Sequence, residues 1–179
     1  AFGTVTITDT SFDKISTKIY AGAMAPNIGS VSILVSDASE FTPTGQIYIG
    51  RGTPNIEGPI SYSSITQIGS YYEISLSSPT NKFHNLNESV VLAQGGVRNI
   101  PIGTLVQAPA SGTSSNIVFT VTESAVILDG EVTVDGVKVS AQEPGSLANV
   151  PIGAIREFQT APFVGASVTN SSAFTTGRD

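Results

Sequence analysis

Catalysis and metal binding draw on a few residue types, and this chain is poor in them. His84 is the only histidine, and cysteine is absent. Disulfides and thiolate metal sites are thereby excluded. A catalytic histidine needs an orienting carboxylate and a nucleophile, and zinc needs further nitrogen or sulfur ligands. His84 lies in Asn81-Lys82-Phe83-His84-Asn85, a turn-like stretch before a strand. Its expected role is structural, as a hydrogen-bonding partner of a turn backbone. A Ser-His-Asp triad would have to use this one histidine, and no G-x-S-x-G elbow accompanies it. Phosphate-binding glycine loops and H-E-x-x-H are likewise missing.

Paired carboxylates could hydrolyse a glycosidic bond. Glu40 and Glu57 fall in predicted loops. Asp129, Glu131 and Asp135 flank a predicted hairpin, and the last two share strand parity. A solvated strand edge whose charges discourage pairing explains these three best. A Ca²⁺ site there would lack the dense D-x-D-x-D-G spacing. Tyr48, Tyr62, Tyr71 and Tyr72 could form a carbohydrate-stacking platform, but cross-strand pairs are the favoured reading. Asp37-Ala38-Ser39 reads as a turn in which Asp37 caps backbone N–H groups and Phe41 returns to the core. No catalytic, cofactor-binding or metal-binding residue is therefore assigned, and no cofactor is expected.

The elements that carry these residues are read from period-two patterning. Val5 and Ile7 alternate with Thr4, Thr6 and Thr8. Val31, Ile33 and Val35 follow the same rule, as do Ile47 and Ile49, Ile117, Phe119 and Val121, Val132 and Val134, and Val137 and Val139. β-branched residues at every second position build one wall for a core and leave the other to water. Gly and Pro-rich turns separate the runs, and Asp135-Gly136 reads as a two-residue hairpin. Only residues 11–24 offer a helical spacing (Phe12, Ile15 and Ile19), and their Thr and Ile content makes an irregular strand nearly equal to it. The prediction is an all-β chain with little or no helix. Two small antiparallel domains, sandwich- or barrel-like, are expected at 1–95 and 96–179.

The composition fits that class. Hydrophobic residues make up 40% and charged residues only 12%, so the chain can bury a core and draws its polar surface from Ser, Thr, Asn and Gln. The formal charge is −6, and the eight cations (Lys14, Lys18, Arg51, Lys82, Arg98, Lys138, Arg156, Arg178) form no cluster. A basic stripe for nucleic acid or an anionic membrane is missing. No apolar run approaches the roughly 20 residues that span a bilayer. The chain opens without Met in a strand-like run, so a fragment of a longer protein is expected.

A short echo marks the second half. Asn99-Ile100-Pro101-Ile102-Gly103 recurs as Asn149-Val150-Pro151-Ile152-Gly153. Pro and Gly two residues apart fit positions i+1 and i+3 of a type I turn, so each copy reads as strand, turn, strand at equivalent corners of one barrel or sandwich.

These corners also carry a resemblance. The run Asn99 to Val106, the strand Ile117-Val118-Phe119-Thr120-Val121-Thr122-Glu123, and the return Glu143-Pro144-Gly145-Ser146-Leu147-Ala148-Asn149-Val150 through Gly153 resemble the baseplate J-like family. That family has an "x-P-x-G-T" start, an "F-x-T" strand and an "E-x-G-x-x-x-N-V-x-x-G" return. Val164-Gly165-Ala166-Ser167-Val168-Thr169-Asn170 and Phe174-Thr175-Thr176-Gly177-Arg178-Asp179 resemble its exit, with Thr176 where a first Gly is common. Residues 31–41, 45–50, 60–62 and 83–84 resemble a small β-module inserted in phage tail proteins. The resemblance implies a structural piece of a contractile bacteriophage tail baseplate wedge. It implies other tail proteins as partners, multiple copies around the tail axis, and a place in the virion after assembly in the bacterial host cytoplasm. A helical segment that normally follows the exit is absent, in keeping with a fragment. The alternative is a receptor- or glycan-binding module of a tail or cell-surface protein.

Overall fold

A computed structural model describes residues 1–112 and 114–179. Its strands, in chain order, are β1 (Phe2–Asp9), β2 (Ser16–Lys18), β3 (Ser32–Val35), β4 (Gly45–Ile49), β5 (Glu57–Ile68), β6 (Tyr71–Leu76), β7 (Ser89–Leu92), β8 (Arg98–Ile100), β9 (Leu105–Ala108), β10 (Ile117–Val121), β11 (Ala125–Ile127), β12 (Thr133–Ala141), β13 (Glu157–Phe158) and β14 (Ala166–Thr169). The only helical turn among the described residues is 3₁₀, Ser146–Ala148. The all-β prediction holds. No helix among those residues is long and apolar enough to cross a membrane.

The chain forms two compact units. Unit 1 is Ala1–Asp13 with Val97–Asp179, and unit 2 is Lys14–Gly96. The expected first domain, 1–95, therefore loses its opening strand to the other unit. The reason is pairing: β1 lies between β12 and β14, with Val5 opposite Val137 and Ile7 opposite Val168.

Unit 1 is built on a six-stranded sheet in the order β13-β9-β10-β12-β1-β14, with a separate β8–β11 pair. Its core is the inward set of side chains that the period-two pattern predicts, including Val5, Ile7, Phe119, Val121, Val137 and Val139. Phe174 meets Phe119 edge-on, with ring centroids 5.3 Å apart. Gly3 makes room for it, since a Cβ there would sit 2.2 Å from the Phe174 ring.

Unit 2 has the order β2-β7-β4-β5-β6-β3. Its two outer strands meet at an isolated Ile19↔Val35 bridge, where Tyr20 N–H donates to Leu34 (2.8 Å) and Ser36 N–H to Lys18 (3.0 Å). Ile19, Ile33, Val35, Ile47, Ile49 and Ile74 fill the interior. Val31 precedes β3 and is exposed.

Three local expectations are corrected. Residues 11–24 are not helical: they hold β2 and the Ile19 bridge, because Ile19 is fully buried in a barrel wall rather than on a helix face. Asp135-Gly136 is not a hairpin turn. Both residues lie inside β12, where the register slips between Val5 and Ile7, and Gly136 takes φ +70°. A left-handed glycine at such a slip is a β-bulge, so the same dipeptide that can turn a chain here kinks a continuous strand. Finally, the two echoed corners are both turns but one residue out of the expected register. Thr104 N–H donates to Pro101 (3.2 Å) and Ala154 N–H to Pro151 (3.3 Å), so Pro occupies position i and Gly position i+2. Gly103 at φ +89° and Gly153 at φ +72° match the left-handed residue of a type II turn.

Candidate functional site

His84 is wholly buried and held between two carboxylates. Its Nδ1 lies 2.8 Å from Glu88 Oε2 and its Nε2 lies 2.7 Å from Glu57 Oε1. Glu57 opens β5 rather than lying in a loop, and Glu88 immediately precedes β7. Each carboxylate has a second anchor. Asn81 N–H donates to Glu57 Oε2 at 2.9 Å, and Asn85 N–H donates to Glu88 Oε1 at 3.0 Å. The backbone N–H of His84 donates to Pro26. The side chain thus bonds carboxylates instead of the expected turn backbone. Both ring nitrogens can be in hydrogen bonds only if the cluster carries two protons between them, because a neutral imidazole has one N–H. Gly50 lies against this cluster, where a Cβ would come 2.8 Å from Glu88 Oε2. With both nitrogens occupied, the ring cannot take a proton from a hydroxyl nucleophile or ligate a metal. The cluster joins three segments of unit 2. Of its members, Glu88 had no sequence signal beyond its i+4 spacing from His84, and Glu57 lies 27 residues upstream.

The remaining carboxylates are dispersed. Asp135 accepts a hydrogen bond from Thr6 Oγ1 (2.7 Å) on a strand inside the sheet, not at an edge. Glu131 precedes β12, and its carbonyl accepts from Arg98. No group of three His, Cys, Asp or Glu residues among the described ones is placed to hold a metal. A cleft of about 310 Å³ beside Gln142 and Leu147 contains a single carboxylate, Glu143. One of about 60 Å³ beside Ile15 contains Asp37 and Glu40. That volume holds only a couple of waters, not a sugar. Asp37 performs the predicted cap: Ser39 N–H donates to it at 2.9 Å, and with the Ser39 hydroxyl lowers its carboxyl below the ordinary value.

The four tyrosines do not share a face. Tyr62 is in the core, donating to the Thr42 carbonyl at 2.8 Å. Tyr71 and Tyr72 are successive on β6 and point to opposite sides. Tyr71 stacks on Tyr20, with centroids 4.7 Å apart, and Arg51 covers Tyr48 at 4.3 Å.

The residues of the return and exit motifs do come together, in unit 1. Asn170 is fully buried. Its Oδ1 accepts from Ile155 N–H (2.9 Å), and its Nδ2 donates to the Pro151 (2.9 Å) and Ser172 (2.8 Å) carbonyls. Asn149 holds the peptide of Gly177 by both ends, accepting its N–H at 2.8 Å and donating to its carbonyl at 3.2 Å. A Cβ on Gly177 would lie 2.2 Å from the Gly145 carbonyl. Asp179 accepts from Ser146 Oγ (2.5 Å) and N–H (2.8 Å), and this pair of donors lowers its carboxyl. The return and exit segments are thus one clamp, and its polar atoms bond each other rather than a ligand.

A second anchor lies where unit 1 gives way to unit 2 and resumes. Asp9 ends β1 and Arg98 begins β8, and the two form a buried ion pair at 3.3 Å. Arg98 also lies over the Phe12 ring at 5.2 Å. Burial alone would raise the Asp9 carboxyl. The Ser11 hydroxyl and N–H, with Arg98, outweigh it and hold the carboxyl below its ordinary value. Neither residue carries a motif, and only their pairing across the fold makes them visible.

Comparison with curated proteins and with solved structures finds no match. Comparison with family models does: residues 89–177 match the Baseplate J-like protein barrel domain. The matched stretch holds both echoed corners, β8 to β14, and the Asn149 and Asn170 clamp. Through these residues the chain belongs to the baseplate J-like family of structural phage proteins, whose place is the tail baseplate of the virion.

Proposed function

We propose that this chain is a structural component of the wedge of a contractile tail baseplate, supplying rigid β surface to which neighbouring tail proteins bind. It stands in multiple copies around the tail axis and is assembled in the bacterial host cytoplasm, without nucleic acid or membrane as a partner. The observation that carries the reading is that the family match coincides with a clamp whose side chains satisfy one another. Such a clamp fixes loop shape, and fixed loops bind protein neighbours without a large ordering cost. The low charge content suits close packing in a large assembly. The mechanism is mechanical, and the chain performs no catalysis. Mass spectrometry of purified tails should find the chain at a fixed ratio to other baseplate proteins. Electron microscopy of particles from a deletion strain should show tails lacking complete wedges. Infectious particles with intact baseplates from that strain would refute the proposal.

A further inference from the structure

Most strand edges of unit 2 are covered, since its outermost strands meet at the Ile19↔Val35 bridge. The far half of β5 differs. β4 accompanies β5 only as far as the Gly45↔Tyr62 pair, and beyond it β6 alone lies alongside. Residues 63–68 read Ser-Ser-Ile-Thr-Gln-Ile, with no charge and no proline, and all but Ile65 are exposed. Lysine, proline and inward charges are the usual guards of an open edge, and none is present.

The hairpin pattern says which groups face outward. A two-residue turn, Gly69-Ser70, joins Ile68 to Tyr71. The pair flanking such a turn exchanges both hydrogen bonds, and the bonding alternates along the ladder. Thr66↔Glu73 therefore bonds inward, and the peptide groups of Ile65 and Gln67 point away from β6.

We propose that this edge pairs antiparallel with the same edge of a second copy of the chain, about a two-fold axis through Thr66. Ile65 and Gln67 flank that axis, so each exchanges N–H and C=O with the other residue of the second copy, giving four hydrogen bonds. Self-complementarity of this kind is what a two-fold interface requires. The two copies of Thr66 face each other as a non-bonded pair, which threonine favours. Each copy carries −6, yet the strip itself is neutral, so no like charges meet across it. The inference does not depend on the baseplate reading.

Because the chain has no cysteine, one introduced thiol reports the pairing. At the two-fold axis, Cα atoms of a non-hydrogen-bonded pair lie about 4.5 Å apart, within disulfide range. Thr66→Cys in the full chain should oxidise to a covalent dimer much faster than Ser70→Cys at the hairpin tip. Adding Gln67→Pro, which removes only an outward N–H, should abolish the difference, and in the cysteine-free chain it should weaken dimerisation by roughly 30-fold through loss of two of the four bonds. Sedimentation equilibrium measures the latter, and circular dichroism confirms that the variants are folded. Equal oxidation of the two thiols, a dimer insensitive to Gln67→Pro, or a chain monomeric up to millimolar concentration would each overturn the pairing. The last would leave the edge to a strand from a different protein.

Discussion

The side chains that look most chemical in this chain are committed to each other. His84 has two carboxylates on its ring, and each carboxylate has its own backbone donor. Removing the ring leaves two buried carboxylates facing one another. His84→Ala should therefore destabilise unit 2 by about 3–5 kcal/mol, the usual result of breaking a buried charged cluster. Urea unfolding followed by hydrogen exchange in residues 14–96 measures it, and a loss below 1 kcal/mol would mean the cluster is not charged together. Asp9 supports a prediction about pH. Its carboxyl is held below the unfolded value, so its contribution is present above that value, about 3.9, and is lost as pH falls through the folded one. Asp9→Asn should lower stability at pH 7 and flatten its decline between pH 5 and pH 2, as seen in melting temperature against pH. Asp9→Asn and wild type declining in parallel would contradict this.

At the scale of elements, the sequence revealed strands better than their partners. The alternation of Val5 with Ile7, or of Ile47 with Ile49, survives as buried against outward positions, because period two is a local property of one strand. Asp135-Gly136 misled because a left-handed glycine serves a turn and a bulge alike, and only the strand opposite decides between them. The Pro-Ile-Gly corners were legible as turns, but their register depends on which carbonyl accepts the closing bond. The Asn149 and Asn170 clamp was visible only as motif residues, while its partners lie at distances of up to 28 residues. Asn170→Ala should leave the buried Ile155 N–H unpaired and cost about 1–3 kcal/mol. Faster amide exchange at Ile155, with little change in residues 14–96, is the expected signature.

For the whole molecule, the governing fact is that unit 1 is made of two stretches of chain. Its sheet places β1 between β12 and β14, so the first strand fills the middle of a surface built by the last. Omitting residues 1–9 should remove an interior strand together with buried Val5, Ile7 and Asp9. Protection against exchange should then collapse in residues 97–179 and persist in residues 14–96. Loss of protection in both stretches together would show that the units do not hold their structure independently.

The position of β1 has a consequence during synthesis. Thr6 meets Asp135 across the bulge, 129 residues later. At about 5–20 residues per second, β1 waits on the order of ten seconds on the ribosome with its apolar side unshielded. Residues 14–96 emerge complete within that interval and can close first. Ribosome-arrested chains just long enough for residue 96, but not β12, to clear the exit tunnel should therefore resist protease in residues 14–96 while β1 is cut, and chains halted well past residue 179 should protect both. Early protection of β1 would show that it finds a temporary partner before its own arrives.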